Sequence, residues 1–143
     1  MGDEEREQII QKVKNYFKDK HEVVFVYIFG SYARHKETGL SDVDIAIYYE
    51  NDEISQDIEA YLSIKAELNR LLNKEVDLVI LNTAKPLLKS RIINHHIKIL
   101  SRNRLVESEF MIRSLGEYFD VKPYLDAQYI NVITTLKEEI KNG

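Results

Sequence analysis

Val23–Glu50 reads VVFVYIFGSYARHKETGLSDVDIAIYYE, two apolar runs joined by a polar segment. Val24–Phe29 is rich in β-branched and aromatic residues and has the length of a buried strand. The Gly30-Ser31 step releases the backbone where that strand ends. Asp42-Val43-Asp44 then leads into a second strand over Ile45–Tyr49. A strand has a side-chain period of two, so Asp42 and Asp44 project from one face at its mouth. Two carboxylates held together repel unless a cation or a proton joins them, and magnesium prefers oxygen ligands of this kind.

Working outward, residues 3–20 have helical spacing, with Ile9, Ile10, Val13, Tyr16 and Phe17 on one face and an acidic first turn that complements the helix N-terminus. Ser31 to His35 is expected to start a short helix, and Lys36–Ser41, with Gly39, to turn back into the sheet. Asn51-Asp52-Glu53 offers caps for a helix over 54–73, whose apolar face would be Ile58, Tyr61, Leu62, Leu68, Leu71 and Leu72. Val76–Leu81 is a third strand with Asp77 near its start. A carboxylate there is costly unless it faces the open end of the sheet or meets a cation. Facing that end, Asp77 would join the first two aspartates.

Pro86 can open a helix over 86–95, Ile97–Leu100 is a short strand, and two helices follow, Arg104–Phe119 and Pro123–Lys141. The last places Leu125, Tyr129, Val132, Ile133, Leu136 and Ile140 on one side. The fold class expected is α+β, a short mixed β-sheet covered by helices, with residues 1–143 as a single domain.

Composition narrows the class further. The chain has 143 residues and no cysteine, which rules out disulfides and thiolate metal sites and allows an intracellular location. No apolar run approaches a membrane span, and the acidic Gly2–Glu5 start is unlike a signal peptide, so a cytoplasmic protein is expected. A formal charge of −4 argues against broad coating of nucleic acid.

These residues suggest transfer of a nucleoside monophosphate with pyrophosphate leaving. Gly30 permits close backbone approach, Ser31 can donate to a phosphate oxygen, and amides at a following helix start can bind the same group. Asp42 and Asp44 could hold two magnesium ions, offsetting charge on the entering and leaving oxygens. Asp77 would complete the site beside the attacking hydroxyl.

Gly30-Ser31-Tyr32-Ala33-Arg34, Ser41-Asp42-Val43-Asp44 and Val76-Asp77-Leu78-Val79 together resemble the minimal nucleotidyltransferase family of the polymerase-β superfamily. The resemblance spans about Val24–Leu81, and Tyr118-Phe119-Asp120 and the helical tail extend it. It implies the nucleotidyltransferase fold, with Gly30 and Ser31 binding the triphosphate of ATP, Asp42, Asp44 and Asp77 as catalytic metal ligands, and Arg34 assisting phosphate or partner binding. His35 stands where the family motif often has glycine. The resemblance further implies an antitoxin, hetero-oligomeric with a HEPN-family ribonuclease toxin, that transfers AMP to a tyrosine of that partner. Two alternatives are an antitoxin that masks the toxin by contact alone, and nucleotidyl transfer to RNA or a small hydroxylated compound.

Other features have plainer readings. Tyr27, Tyr48, Tyr61 and Tyr129 read as packing residues, whereas Tyr32 and Tyr49 flank the proposed cleft. Arg91 and His96 match the catalytic spacing of HEPN ribonucleases, but a sheet signature contradicts that all-helical plan. His95 reads as a surface residue. Lys85, Lys89, Arg91, Lys98, Arg102 and Arg104 read as a solvated face or a contact for an acidic partner.

Overall fold

The computed structural model describes residues 2–38 and 41–142. Its four strands are β1 (Val23–Phe29), β2 (Val43–Tyr49), β3 (Val76–Ile80) and β4 (Ile97–Ser101), in the spatial order β3-β2-β1-β4. The sheet is mixed, since β1 runs antiparallel to β2 and β4 while β2 and β3 are parallel. β1 is apolar along its whole length because it is central and covered on both faces.

The helices are α1 (Asp3–Phe17), α2 (Asp52–Ser55), α3 (Ile58–Leu72), α4 (Pro86–Asn94) and α5 (Arg104–Asn142). Ile9, Val13 and Phe17 of α1 and Ile64, Leu68 and Leu72 of α3 pack on one side of the sheet, against Val26, Ile28, Val43, Ile45 and Ile47. Ile92 of α4 and Phe110 of α5 pack on the other, against Phe25, Tyr27, Ala46 and Leu81. Each large apolar side chain so buried contributes roughly 1.5–3 kcal/mol.

The second layer is cross-linked by polar groups. Glu107, on α5, is buried and accepts from the hydroxyl of Tyr27 in β1. Its other oxygen lies 3.0 Å from Lys98 Nζ of β4. Burial alone would push the Glu107 carboxyl up, but the hydrogen bonds from Tyr27 and Lys98 outweigh it and hold it below the usual carboxylate range.

Several sequence expectations are corrected. The helix expected over 54–73 is two helices, because Asn51 caps α2 through Glu53 N and Asp57 caps a fresh start at Ala60 N. Its buried stripe runs through Ile64, Leu68 and Leu72, while Ile58, Leu62 and Leu71 are exposed, since the apolar face is wider than the sheet beneath it. Ser31–His35 is a hydrogen-bonded turn and not a helix; Gly39 lies outside the described residues. The two C-terminal helices are one. Pro123 sits inside α5, whose preceding residues Asp120–Lys122 include no glycine, and its fixed φ is itself helical. The 39 residues span roughly 58 Å. Beyond Pro123 the side chains of Tyr124, Tyr129, Ile130, Val132, Leu136 and Ile140 stay exposed, so Tyr129 is not a packing residue.

Three members of the expected basic face tie elements of the chain together, and of these Lys98 and Arg102 stay exposed while Lys89 is buried. Lys89 is buried, 2.6 Å from Glu117, Lys98 pairs with Glu107, and Arg102 donates to the carbonyls of Phe17 and Lys18 at the end of α1. No helix among the described residues is long and apolar enough to cross a membrane.

Replacing Glu107 with alanine strands the buried Tyr27 hydroxyl and should cost about 2–3 kcal/mol. Thermal melting should show a midpoint lower by roughly 5–10 °C.

Candidate active site

The parallel register between β2 and β3 sets Asp44 beside Asp77. Side chains alternate along a strand, so Asp44 shares its face with Ala46 and Tyr48, and Asp77 shares its face with Val79 and Leu81. That is the side covered by α4 and α5, which pack over Ala46, Val79 and Leu81. Asp42 immediately precedes β2 and, two residues from Asp44, belongs to the same face. Asp42 and Asp77 are exposed and Asp44 is half-buried. The three carboxylates therefore stand at an uncovered end of an otherwise packed face.

Gly30 closes this end from β1. Phe29 is the antiparallel partner of Asp44, which brings the next residue against the carboxylate. Gly30 has φ +70°, and a Cβ placed there would lie 2.0 Å from Asp44 Oδ2. No larger residue fits without moving the aspartate, and the left-handed backbone independently favours glycine.

The chain then turns through Arg34 N to Gly30 O (3.2 Å), His35 N to Tyr32 O (3.4 Å) and Lys36 N to Ser31 O (2.9 Å). These bonds use the amides of Arg34, His35 and Lys36 and none from Ser31 to Ala33, so the opening of the turn at Ser31 is the part that can donate to a phosphate. His35 has φ +55°, the conformation for which glycine is the cheapest residue and histidine one of the better-tolerated others. Ser31 is half-buried beside Gly30, Arg34 is exposed on the turn, and the Tyr32 ring is buried in the core. Tyr49 is buried as well, so neither of these tyrosines lines an open cleft. Sequence reading missed Arg6 of α1, which reaches the Tyr32 carbonyl; a tie across 26 residues leaves no local signal.

Electrostatics mark the carboxylates as a strained set. Burial, then repulsion from Asp77 and Asp42, raises the Asp44 carboxyl from 3.8 to about 6, and Asp44 shares a hydrogen bond with Asp77. Among the described residues no three histidine, aspartate or glutamate side chains stand together closely enough to hold a metal ion. The donor set still fits a hard divalent cation, because a positive charge between Asp44 and its neighbours relieves the repulsion that the protein otherwise absorbs with a proton. Cavities elsewhere hold none of these residues: one of about 410 Å³ lies between α1 and β4, lined by Lys14, Lys18 and Arg102. His96 is stacked on Tyr27 at 4.1 Å and donates from Nδ1 to the carbonyls of Ile92 and Ile93, which makes it a packing group and leaves Arg91 without a catalytic partner.

Residues 11–105 match the model of the family described as polymerase beta, nucleotidyltransferase. The chain belongs to that family. The match runs from α1 through β4, so this nucleotidyltransferase carries nearly all of α5, Tyr118-Phe119-Asp120 included, outside the family segment.

A Methanocaldococcus jannaschii protein provisionally named a protein adenylyltransferase is 40% identical over 81 residues, 57% of this chain and 84% of the relative. A second from the same organism, with the same provisional name, is 38% identical over 90 residues, 62% and 88% of the two chains. Among solved structures, a chain from a toxin–antitoxin crystal structure with AMP-PNP aligns with a TM-score of 0.77 at 22% identity, covering 87% of this chain and 98% of that one. A chain from a tri-AMPylated Shewanella oneidensis HEPN toxin in complex with MNT antitoxin aligns at 0.73 and 20%, covering 90% and 98%. At such identities the structures establish a shared fold.

Asp44→Asn should stabilise this nucleotidyltransferase at neutral pH. Below about pH 4 the carboxyl is protonated whether the chain is folded or not, and costs nothing; above about pH 6 it is ionised in both states and the full repulsion acts. Discounted for its partial exposure, the gain at pH 7 is about 1 kcal/mol. Urea midpoints of the two proteins should diverge between pH 4 and 7 and coincide at pH 4.

Proposed function

We propose that this nucleotidyltransferase transfers AMP from ATP to a tyrosine hydroxyl of a HEPN ribonuclease toxin, and so acts as its antitoxin. The observation that carries the reading is the juxtaposition of Asp42, Asp44 and Asp77 beside the Cβ-free approach at Gly30. The provisional names of the M. jannaschii relatives support the adenylyl group, and the fold shared with chains of toxin–antitoxin structures supports the partner.

In this reading the tyrosine oxygen forms a bond to the α-phosphorus of ATP. The bond from that phosphorus to the bridging oxygen breaks, and pyrophosphate leaves with the electron pair. Gly30 and Ser31 hold the triphosphate, Ser31 by its hydroxyl, and Arg34 on the exposed turn meets either the phosphates or the partner. Asp77, outermost on β3, faces the incoming hydroxyl and takes its proton. Asp42 and Asp44 would hold two magnesium ions together with Asp77, and those ions supply the neutralising charge for the α-phosphate and leaving group. Alignment and charge stabilisation account for most of the rate in such transfers.

A second reading, inhibition by contact alone, draws on the exposed apolar residues of α5 beyond Pro123, which offer surface for a partner without any chemistry.

Labelled ATP, magnesium and the helical partner decide between them. Label should enter a tyrosine of the partner, and Asp42→Asn or Asp44→Asn should lower the rate by about 100-fold or more. Full inhibition of the partner with no label incorporated, or full transfer by either variant, would overturn the catalytic reading.

A further inference from the structure

We propose that Arg6 is a positioning residue for the phosphate-binding turn, acting through the backbone of Tyr32 and the carboxylate of Glu37 without touching the nucleotide. Its Nε and Nη2 both donate to the Tyr32 carbonyl, at 3.2 and 3.0 Å. The same Nε lies 3.4 Å from Glu37 Oε1, and the two charged side chains are only 11% and 8% exposed. Removing a guanidinium and a carboxylate from water costs several kcal/mol, and the pair returns that only when its geometry is held. The second Glu37 oxygen and the Tyr32 hydroxyl are buried without a hydrogen-bond partner among the described residues, so this corner is held together by Arg6 and little else that is polar.

The turn needs an outside tie. It begins at Gly30 and closes at His35, both with left-handed backbone, and two of its three internal hydrogen bonds are longer than 3.1 Å. Ser31 lies between a glycine with no side chain to anchor it and Tyr32, whose ring is locked in the core. Gripping the Tyr32 carbonyl ties the backbone next to Ser31 to α1, a helix packed in the core. Arg6 precedes the family-matched segment 11–105, so the tie is supplied from outside it.

This inference rests on the proposed nucleotide reaction for its kinetic consequence, but its structural half stands alone. The full chain and its Arg6→Gln and Arg6→Lys variants are compared in three measurements: melting, amide hydrogen exchange, and KM for ATP against kcat in transfer. Arg6→Gln should speed exchange at the Arg34 and Lys36 amides about tenfold while β1 and β2 amides stay protected, and raise KM about tenfold with kcat within about threefold. Arg6→Lys keeps the charge opposite Glu37 but loses the two-point grip, and should fall between. Unchanged exchange in the turn, or a uniform loss of protection across β1 and β2, would overturn the positioning role. A wild-type chain that transfers nothing would defeat the proposed reaction, and the exchange data would still decide what Arg6 does.

Discussion

The approach of the Gly30 backbone to the Asp44 carboxylate constrains everything around it. A side chain at Gly30 would occupy the space of Oδ2, so any other residue there would displace the Asp44 carboxylate. The left-handed φ of the same residue swings the chain off the sheet just past the carboxylate. The antiparallel β1–β2 pairing and the parallel β2–β3 pairing then deliver Phe29, Asp44 and Asp77 to one level of the sheet. Helices α1 and α3 seal the opposite face, and α4 with the start of α5 covers the middle of this one, which leaves the acidic end open.

Such a site is held against its own electrostatics. Asp44 is ionised only at the expense of repulsion from Asp77 and Asp42, and the apolar layers on both sides of the sheet offset that cost. Below about pH 6 a proton on Asp44 relieves the conflict, and above it a nucleotide with its cations would relieve it with charge. Destabilisation of this kind at a functional site, compensated elsewhere in the fold, is expected where a protein holds groups ready for a partner they have not yet met.

The local half of this architecture was legible in the sequence. Apolar runs of strand length located β1, β2 and β3, and the period of two placed Asp42 and Asp44 together before any pairing was known. Asp77 was a conditional member, because its place beside Asp44 depends on the register between β2 and β3, which no local pattern fixes. Tertiary ties were invisible for the same reason: Glu107 with Tyr27, Arg102 with the end of α1, and Arg6 with the turn each join residues far apart in sequence. Misread segments had local causes. Ser31–His35 has helical composition, but Gly30 and His35 both take left-handed backbone and the turn closes on itself. Pro123 resembled a helix start because its φ suits either a first turn or a tolerated interior position, and Tyr129 resembled core because helical periodicity cannot say whether anything lies opposite the stripe.

Asp44 is held by burial and by its acidic neighbours in a state that a divalent cation would relieve. The side-chain carboxyl carbon of Asp44, followed by NMR as pH is raised with and without magnesium, reports that state. The midpoint should lie near 6 in the metal-free protein and fall by a unit or more, roughly 1.4 kcal/mol per unit, when magnesium is present. A midpoint near that of an ordinary aspartate, unmoved by magnesium, would contradict it.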